Sequence, residues 1–188
     1  MSTRGFVGFV VEDRETITFN RCDSYPERLG VEVLEYLTQI TDWDEMRSDA
    51  ASLVHVADDD PRNEEKFDAF CARHGWCRGD YTEVPSWCDL LGENLHDPAA
   101  ILTAGFAVHH PDWPGSTWCD WGYLINLDVG KLEVYSGSNR DASGAGRFDG
   151  RNRDGHFHWP VQLRTSWSLR ELPDAQTFVA TFQTRKPS

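Results

Sequence analysis

Three features of the sequence predict an α+β fold in which antiparallel strands pack with helices. The first is a pair of strand-like stretches near the start, the apolar run Phe6–Val11 and the alternating stretch Thr16–Phe19. The second is a later alternating stretch, Trp118–Tyr135, which predicts another hairpin. The third is that helix-like segments lie between and after these hairpins, without the regular strand–helix alternation that marks a parallel sheet. We therefore expect one α+β domain over residues 1–188, with an antiparallel sheet or sheets.

The composition limits the partners of the chain. Of its 188 residues, 31 are acidic and 18 are basic, which gives a formal net charge of -13. This charge repels nucleic-acid backbones and anionic membranes, and it fits instead a basic protein partner. No apolar run has the length of a membrane span and no leader precedes the first strand, so we expect no membrane contact. Five cysteines, an odd number, fit reduced thiols and a cytoplasmic location.

The first hairpin brings the start of the chain close to a corner of the sequence. If Asp13-Arg14 is a two-residue loop, the numbers of paired residues sum to 27. Arg4 then lies opposite Asp23, and Ser2 lies opposite Tyr25. The sequence therefore predicts that the first residues are held beside the segment 23–26.

The corner itself has a purely structural interpretation. Ser24 and Glu27 have the spacing of a capping box, and Pro26 fits the first turn of a helix. The helix that follows has one apolar face, formed by Leu29, Val33, Leu37 and Ile40.

Further signals place the other helices and strands. Helix starts are predicted at Asp42, Asp60-Pro61, Ser86, Asp97-Pro98 and Leu172-Pro173-Asp174, a helix end at Gly75, and strands at Phe106–Val108 and within Phe157–Leu169. The segment Gly137–Gly155 is rich in Gly, Asn, Asp and Arg and contains almost nothing apolar. We expect it to be a mobile loop, because it cannot bury enough apolar surface to offset the entropy of ordering.

Metal binding is the weaker interpretation of the cysteines and histidines. Cys71, His74, Cys77 and Cys88 offer four soft ligands, but their spacing is not that of a standard zinc finger. Cys71 also falls on the apolar stripe of a predicted helix, so buried free thiols explain the pattern more simply. His156 and His158 share one strand face without an identifiable third ligand. We therefore expect no metal site and no cofactor.

Several segments of the chain fit the motifs x-T-R-G, N-x-x-D-S-Y-P-x-x-L-G and Y-x-I-N-L-D…L-E-V-Y. The matching residues are Thr3–Gly5, Asn20, Asp23–Pro26, Leu29-Gly30, Tyr123–Asp128 and Leu132–Tyr135. Together they resemble a widespread family of small bacterial, phage and fungal proteins without a secure biochemical function. The resemblance extends over nearly the whole chain.

The chain has Ser2 directly after the initiator Met, then a hairpin, then an Arg21-x-Asp23 corner. This order loosely resembles bile-salt-hydrolase-like members of the N-terminal-nucleophile hydrolases, which begin with Cys, Ser or Thr after removal of the initiator Met. In those enzymes the hairpin leads into an Arg-x-x-Asp corner, one residue longer than the one here. The resemblance implies an αββα sandwich of two antiparallel sheets between helix layers.

The same resemblance implies a hydrolase that acts on an amide bond of a small molecule. In this hypothesis the Ser2 hydroxyl attacks the carbonyl and its own α-amino group is the base. Asp23 orients the amine, and Asn20 or Asn126 donates to the oxyanion. The candidates for substrate binding are Arg4, Arg21 and Tyr25. The alternative hypothesis is a non-enzymatic acidic binding or inhibitor protein, phage- or defence-related, that blocks a basic partner.

Overall fold

A computed structural model describes residues 3–57, 64–75, 86–92, 95–137, 146–148 and 160–183. Its strands are β1 Gly5–Val11, β2 Arg14–Asn20, β3 Val54–Val56, β4 Phe106–Val108, β5 Trp121–Asn126, β6 Lys131–Ser136 and β7 Gln162–Ser168. Five of them form one sheet in the order β2-β1-β5-β6-β7, and β3 and β4 form a second, two-stranded sheet.

Helices cover one face of the larger sheet and pack against the smaller one. They are α1 Val31–Thr38, α2 Trp43–Ala51, α3 Glu64–His74, α4 Trp87–Leu91, α5 Pro98–Ala104 and α6 Ala175–Gln183. A π-helical turn, Pro26–Gly30, leads directly into α1, and short 3₁₀ turns cover Trp113–Gly115 and Gly146–Phe148.

The α+β class is confirmed, but the expectation that all strands are antiparallel is wrong. Strands β1 and β5 pair in parallel, and so do β3 and β4. β1 and β5 are the first strands of the two predicted hairpins. The hairpins lie side by side, and their first strands run in the same direction. The described sheets also do not form an αββα sandwich of two antiparallel sheets, because the second sheet has only two short parallel strands.

Strand β1 lies in the interior, as the unbroken apolar run predicts. All seven of its residues are buried, and β2 and β5 pair with its two edges. Val7, Phe9 and Val11 face a core formed with α1, α2 and α6. Phe6 and Val10 face a second core on the opposite side of the sheet, which includes Tyr135 and Phe148. A strand covered on both faces and both edges fixes the positions of its two ends.

The first hairpin is confirmed, with a register different from the predicted one. Gly5 pairs with Asn20, so the numbers of paired residues sum to 25 and the turn residues are Glu12 and Asp13. Both have positive φ, 53° and 59°, as a type I′ hairpin turn requires. Arg4 is therefore not the regular partner of Asp23.

Asp128, the last residue of the I-N-L-D motif, joins the turns of the two hairpins. Its carboxylate accepts the backbone N–H groups of Glu12 at 2.9 Å and Asp13 at 3.0 Å. It also binds the guanidinium of Arg47 on α2 at 3.0 Å. These hydrogen bonds, with that from the Asp13 N–H first, lower the pKa of Asp128. The motif residue therefore holds neighbouring strand ends together.

Most of the predicted helix boundaries within the described residues are confirmed. Asp42, Ser86 and Asp97 accept backbone N–H groups at the starts of α2, α4 and α5. Asp174 accepts the N–H of Thr177 in the first turn of α6 at 2.7 Å. Gly75, with φ 68°, follows the last residue of α3. Strand β3 was not predicted from the sequence; it is only three residues long.

Some predictions fall on residues that the structure does not describe. Asp60-Pro61 and most of the predicted mobile loop 137–155 are among them. Of that loop, Gly137 and the turn Gly146–Phe148 are described, and Phe148 of this turn is fully buried against Phe6 and Tyr135. Among the described residues, no helix is long and apolar enough to cross a membrane.

The contact between β1 and β5 predicts the effect of a small substitution. A Cβ atom added at Gly122 would overlap the ring of Phe6, which is itself fully buried. We expect Gly122→Ala to lower the free energy of unfolding by about 1–3 kcal/mol, the usual cost of overpacking a core. Chemical denaturation measures this change.

The double variant Gly122→Ala/Phe6→Leu is the control for that mechanism. Leucine removes the ring that the new methyl group would meet, so the two substitutions together should cost less than the sum of their separate costs. Additive costs, or a Gly122→Ala protein as stable as the wild type, would contradict the proposed packing.

Candidate functional site at the start of the chain

The first described residues continue β1 and are fixed on both sides. The N–H of Ser24 donates to the carbonyl of Thr3 at 3.1 Å. On the other side, the N–H of Asp120 donates to the carbonyl of Arg4 at 2.8 Å, and the N–H of Arg4 donates to Oδ2 of Asp120 at 3.0 Å. The start of the chain is thus held between extensions of β2 and β5, as the sequence analysis predicted for the β2 side.

A bulge next to Arg4 pushes three residues to the surface. Gly5 pairs with Asn20 and Thr3 bonds to Ser24, so the three residues 21–23 occupy the length that Arg4 alone occupies on the neighbouring strand. All three are exposed, and Asp23 has a positive φ of 55°. Aspartate tolerates this conformation better than most residues. The bulge therefore presents Asp23 beside the start of the chain.

Ser24 does not cap a helix, so the predicted capping box is wrong. Ser24 is fully buried, and its hydroxyl accepts a hydrogen bond from the amide of Asn20 at 2.8 Å. The π-helical turn that follows has Tyr25 at its cap position without a side-chain cap. Because the Ser24 N–H already bonds to Thr3, this residue belongs to the sheet and not to the helix.

A small buried network supports this corner. The amide of Asn20 also donates to the carbonyl of Cys22 at 2.5 Å, which closes the bulge. The hydroxyl of Tyr123 donates to the carbonyl of Ser24 at 2.9 Å. Burial holds the pKa of Tyr123 well above its usual value, so this hydroxyl keeps its proton. Gly30 allows the close approach, since a Cβ there would lie 2.9 Å from the Tyr123 ring.

Two large aromatic side chains are exposed on either side of the chain start. Tyr25 is 42% exposed and Trp118 is 63% exposed. The guanidinium of Arg4 lies 5.5 Å from the centre of the Trp118 ring, a cation–π distance. We define the amino-terminal site as the described residues Thr3, Arg4, Asp23, Tyr25, Trp118 and Asp120.

The structure brings together only some of the sequence-predicted site residues. Arg4, Asn20, Arg21, Asp23 and Tyr25 all lie at the start of β1 or on the adjoining bulge and turn. Ser2, the proposed nucleophile, lies outside the described residues.

Asn126 lies at the other end of the sheet. It pairs with Val10, whereas Trp121 pairs with Gly5. Five residues of strand separate the two ends, or about 17 Å at the usual rise per residue. The amide of Asn126 donates to Oε1 of Glu133 at 2.8 Å, and the hydroxyl of Tyr135 donates to Oε2 of the same carboxylate at 2.5 Å. Asn126 is thus engaged in a different cluster.

Trp118 and Asp120 complete the site, and neither was predicted from the sequence. Neither residue belongs to the matched motifs, and the segment before β5 that contains them is far from β1 in sequence. The parallel pairing of β1 with β5 brings them to Arg4, and no local sequence signal indicates that pairing.

The cysteines and histidines considered as zinc ligands, which the sequence analysis interpreted instead as free thiols and surface histidines, are only partly described. Cys71 is buried, and Nε2 of His74 bonds to the carbonyl of Ala104 at 3.2 Å. Cys77, His156 and His158 lie outside the described residues. Within the part of the chain that the structure describes, no three His, Cys, Asp or Glu side chains are grouped to hold a metal ion.

Comparison of the chain with family models, with curated proteins and with solved structures finds no match.

The buried network predicts different effects for two tyrosine substitutions. Tyr123→Phe leaves the buried carbonyl of Ser24 without its donor and should lower the free energy of unfolding by about 1–2 kcal/mol. Tyr25→Phe removes the same atom from an exposed ring and should change it by less than about 0.5 kcal/mol. Denaturation of both variants tests this, and equal effects would contradict the role given to Tyr123.

Proposed function

We propose that the protein is an N-terminal-nucleophile-type amidohydrolase in which Ser2 becomes the first residue after removal of Met1. The observation that supports this most is the two-sided hydrogen bonding of Thr3 and Arg4. In this proposal the first residue is attached to Thr3, which is held by hydrogen bonds, so its position relative to Asp23 is restrained. The first residue of a frayed strand has no such restraint.

The chemistry needs only the first residue and water. The hydroxyl of Ser2 attacks the amide carbonyl while its proton passes to the free α-amino group, whose pKa is about 8 in unperturbed chains. The resulting tetrahedral intermediate expels the amine, which takes up that proton, and leaves an ester on Ser2. Water, deprotonated by the same amino group, then attacks the ester; the C–O bond to Ser2 breaks, the Ser2 oxygen takes up that proton, and the carboxylic acid is released.

The neighbouring residues receive distinct roles in this proposal. Asp23, exposed on the bulge, accepts a hydrogen bond from the α-amino group and orients it. Asn20 is a positioning residue, since both of its amide hydrogen bonds hold the bulge. Arg4, Arg21 and Tyr25 contact the substrate, and the pairing of Arg4 with Trp118 favours a substrate with a carboxylate or an aromatic group. Asn126 is too distant to share the site and has no role in this form of the proposal.

Labelling of residue 2 tests this mechanism. Intact mass should show a chain that begins at Ser2, and an amine- or hydroxyl-directed active ester should acylate the wild type at that residue. The labelling rate should rise with pH through about 8, because the α-amino group accepts a proton only when it is neutral. Asp23→Asn should slow it about tenfold or more by releasing the amine from its orientation.

Two serine variants make this test specific. Ser2→Ala should abolish labelling of the hydroxyl, whereas Ser48→Ala, at an exposed position on α2, should label like the wild type. A retained Met1, or equal labelling of Ser2→Ala and the wild type, would exclude the mechanism.

A second candidate function is an acidic binding or inhibitor protein for a basic partner. Two adjoining hollows of about 370 and 540 Å³ between α1, α2 and α5 share Tyr36, Gln39 and Ala99. We call them together the acidic groove; its carboxylates are Glu32, Glu35, Asp42, Glu45, Asp49 and Asp97, with Arg73 also in the lining. Burial raises the pKa of Tyr36 inside it, and Asp97 and Asp49 raise it further. This negative field supports binding of a lysine- or arginine-rich segment.

Salt dependence and a matched charge reversal test the binding function. A lysine-rich peptide should bind the wild type, and the affinity should fall steeply between low salt and about 0.5 M salt as the charges are screened. Glu35→Lys should weaken the binding about tenfold. Glu171→Lys makes the same charge change at an exposed turn outside the groove and should have little effect. Binding that ignores salt, or equal losses in both variants, would reject the groove as the binding surface.

A further inference from the structure

A pair of histidines joins the two sheets at the outer edge of β2. Among the described strands, none pairs with this edge of β2, and the N–H and carbonyl of Ile17 point away from β1. The N–H of Ile17 donates to Nδ1 of His109 at 3.0 Å. The carbonyl of Ile17 accepts the N–H of His110 at 2.8 Å. The His109 side chain and the His110 backbone thus form the two hydrogen bonds with Ile17 that a neighbouring strand would otherwise form.

The second histidine of the pair comes from the small sheet. The ring of His55 on β3 stacks on the ring of His109, with centroids 4.1 Å apart and an interplanar angle of 22°. Nε2 of His55 lies 2.8 Å from the hydroxyl of Thr16, the residue before Ile17. Both imidazoles therefore contact β2, and each also contacts the other.

This geometry requires a neutral imidazole at His109. Nδ1 of His109 accepts an N–H, so it carries no proton and the neutral ring holds its proton on Nε2. Two stacked imidazolium rings would also repel each other at 4.1 Å.

The groups around the rings reinforce the neutral state. Burial lowers the pKa of His55 to about 3, and His109, Arg14 and Lys66 lower it as well. Lys66 on α3 donates to the backbone carbonyl of His55 at 2.9 Å. Arg14 on β2 donates to the carbonyls of Ala51 and Leu53, just before β3.

The pKa of His109 is also lowered, by burial first, with His110 and Arg14 acting in the same direction. The backbone contact with Ile17 and, more weakly, the Glu15 carboxylate raise the pKa of His109 without reversing this shift, and that carboxylate is also paired with Arg147 at 3.1 Å.

We propose that the His55–His109 pair is a pH-sensitive joint, in which protonation of either ring releases the β3–β4 sheet from the outer edge of β2. A proton on Nδ1 of His109 removes the acceptor of the Ile17 N–H and turns two donors toward each other. A proton on His55 places a cation between His109, Arg14 and Lys66. The released edge then exposes the Ile17 N–H to solvent.

The direction of the pH dependence follows from the lowered pKa values. Because the closed joint binds fewer protons than the open or unfolded chain, its stability is complete above about pH 6.5 and is lost as the pH falls toward the pKa values of the closed joint. Each unit of pH below 6.5 should raise the opening constant by up to about tenfold for each proton taken up.

Hydrogen exchange at the joint tests the proposal. After correction for the intrinsic pH dependence of exchange, the protection of the Ile17 and His110 amides should fall at least tenfold between pH 7 and pH 4.5. The amides that pair β5 with β6 should keep their protection. Unchanged protection of Ile17 across this range would overturn the proposal.

Variants identify the groups responsible. Glutamine can accept the Ile17 N–H without titrating, so His55→Gln/His109→Gln should retain protection at pH 7 and lose the pH dependence. His96→Gln, which lies outside the joint, should behave like the wild type. A double variant that keeps the pH dependence would contradict the proposal.

A titration of the wild type keeps the proposal testable if the double variant does not fold. The ring protons of His109, followed by NMR, should titrate well below pH 6.5 and together with the loss of Ile17 protection. A pKa near 6.5 for His109, or a titration unrelated to the exchange, would overturn the proposal.

Discussion

The burial of β1 on both faces and both edges is the constraint on which the rest of this structure depends. Both faces of a strand with no exposed residue must pack against other parts of the chain. Helices cover Val7, Phe9 and Val11 on one face, and aromatic rings cover Phe6 on the other. Since neither edge is free, the ends of the strand are fixed too. The start of the chain is held between Ser24 and Asp120, and the far end meets the turn that contains Asp128.

The segment from Asn20 to Tyr25 combines structural and functional positions within six residues. Asn20 and Ser24 are buried and hold the bulge together, whereas Asp23 and Tyr25 are exposed by that same bulge. The division explains why the segment resembles a helix cap in the sequence. Its polar residues have the spacing of a capping box, but their hydrogen bonds go to β1 and to Tyr123. Polar groups buried in this way make the corner rigid, and a rigid corner presents its exposed side chains in a fixed geometry.

The two candidate binding sites and the histidine pair lie on different parts of the fold. The amino-terminal site is at the start of β1, the acidic groove is among α1, α2 and α5, and the histidine joint is at the outer edge of β2. A substitution in one of them therefore leaves the contacts of the others in place. This separation makes it possible to assign an effect on catalysis, binding or pH dependence to one surface.

The sequence by itself determined the structural features that arise from interactions between residues close together in the chain. Periodicity and caps predicted both hairpins, the interior position of Phe6–Val11, the starts at Asp42 and Asp97, and the α+β class, because hydrogen bonds and burial patterns of this kind arise within a few residues. It also placed the chain start beside the segment 23–26, although with a pairing register two residues away from the observed one.

Only the tertiary structure decided the parallel pairing of β1 with β5, which brings Trp118 and Asp120 to Arg4 and keeps Asn126 away from them. It also decided that His55 stacks on His109. Each of these contacts joins residues more than 50 positions apart, and such pairs are set by the packing of whole elements, for which one sequence carries no local signal.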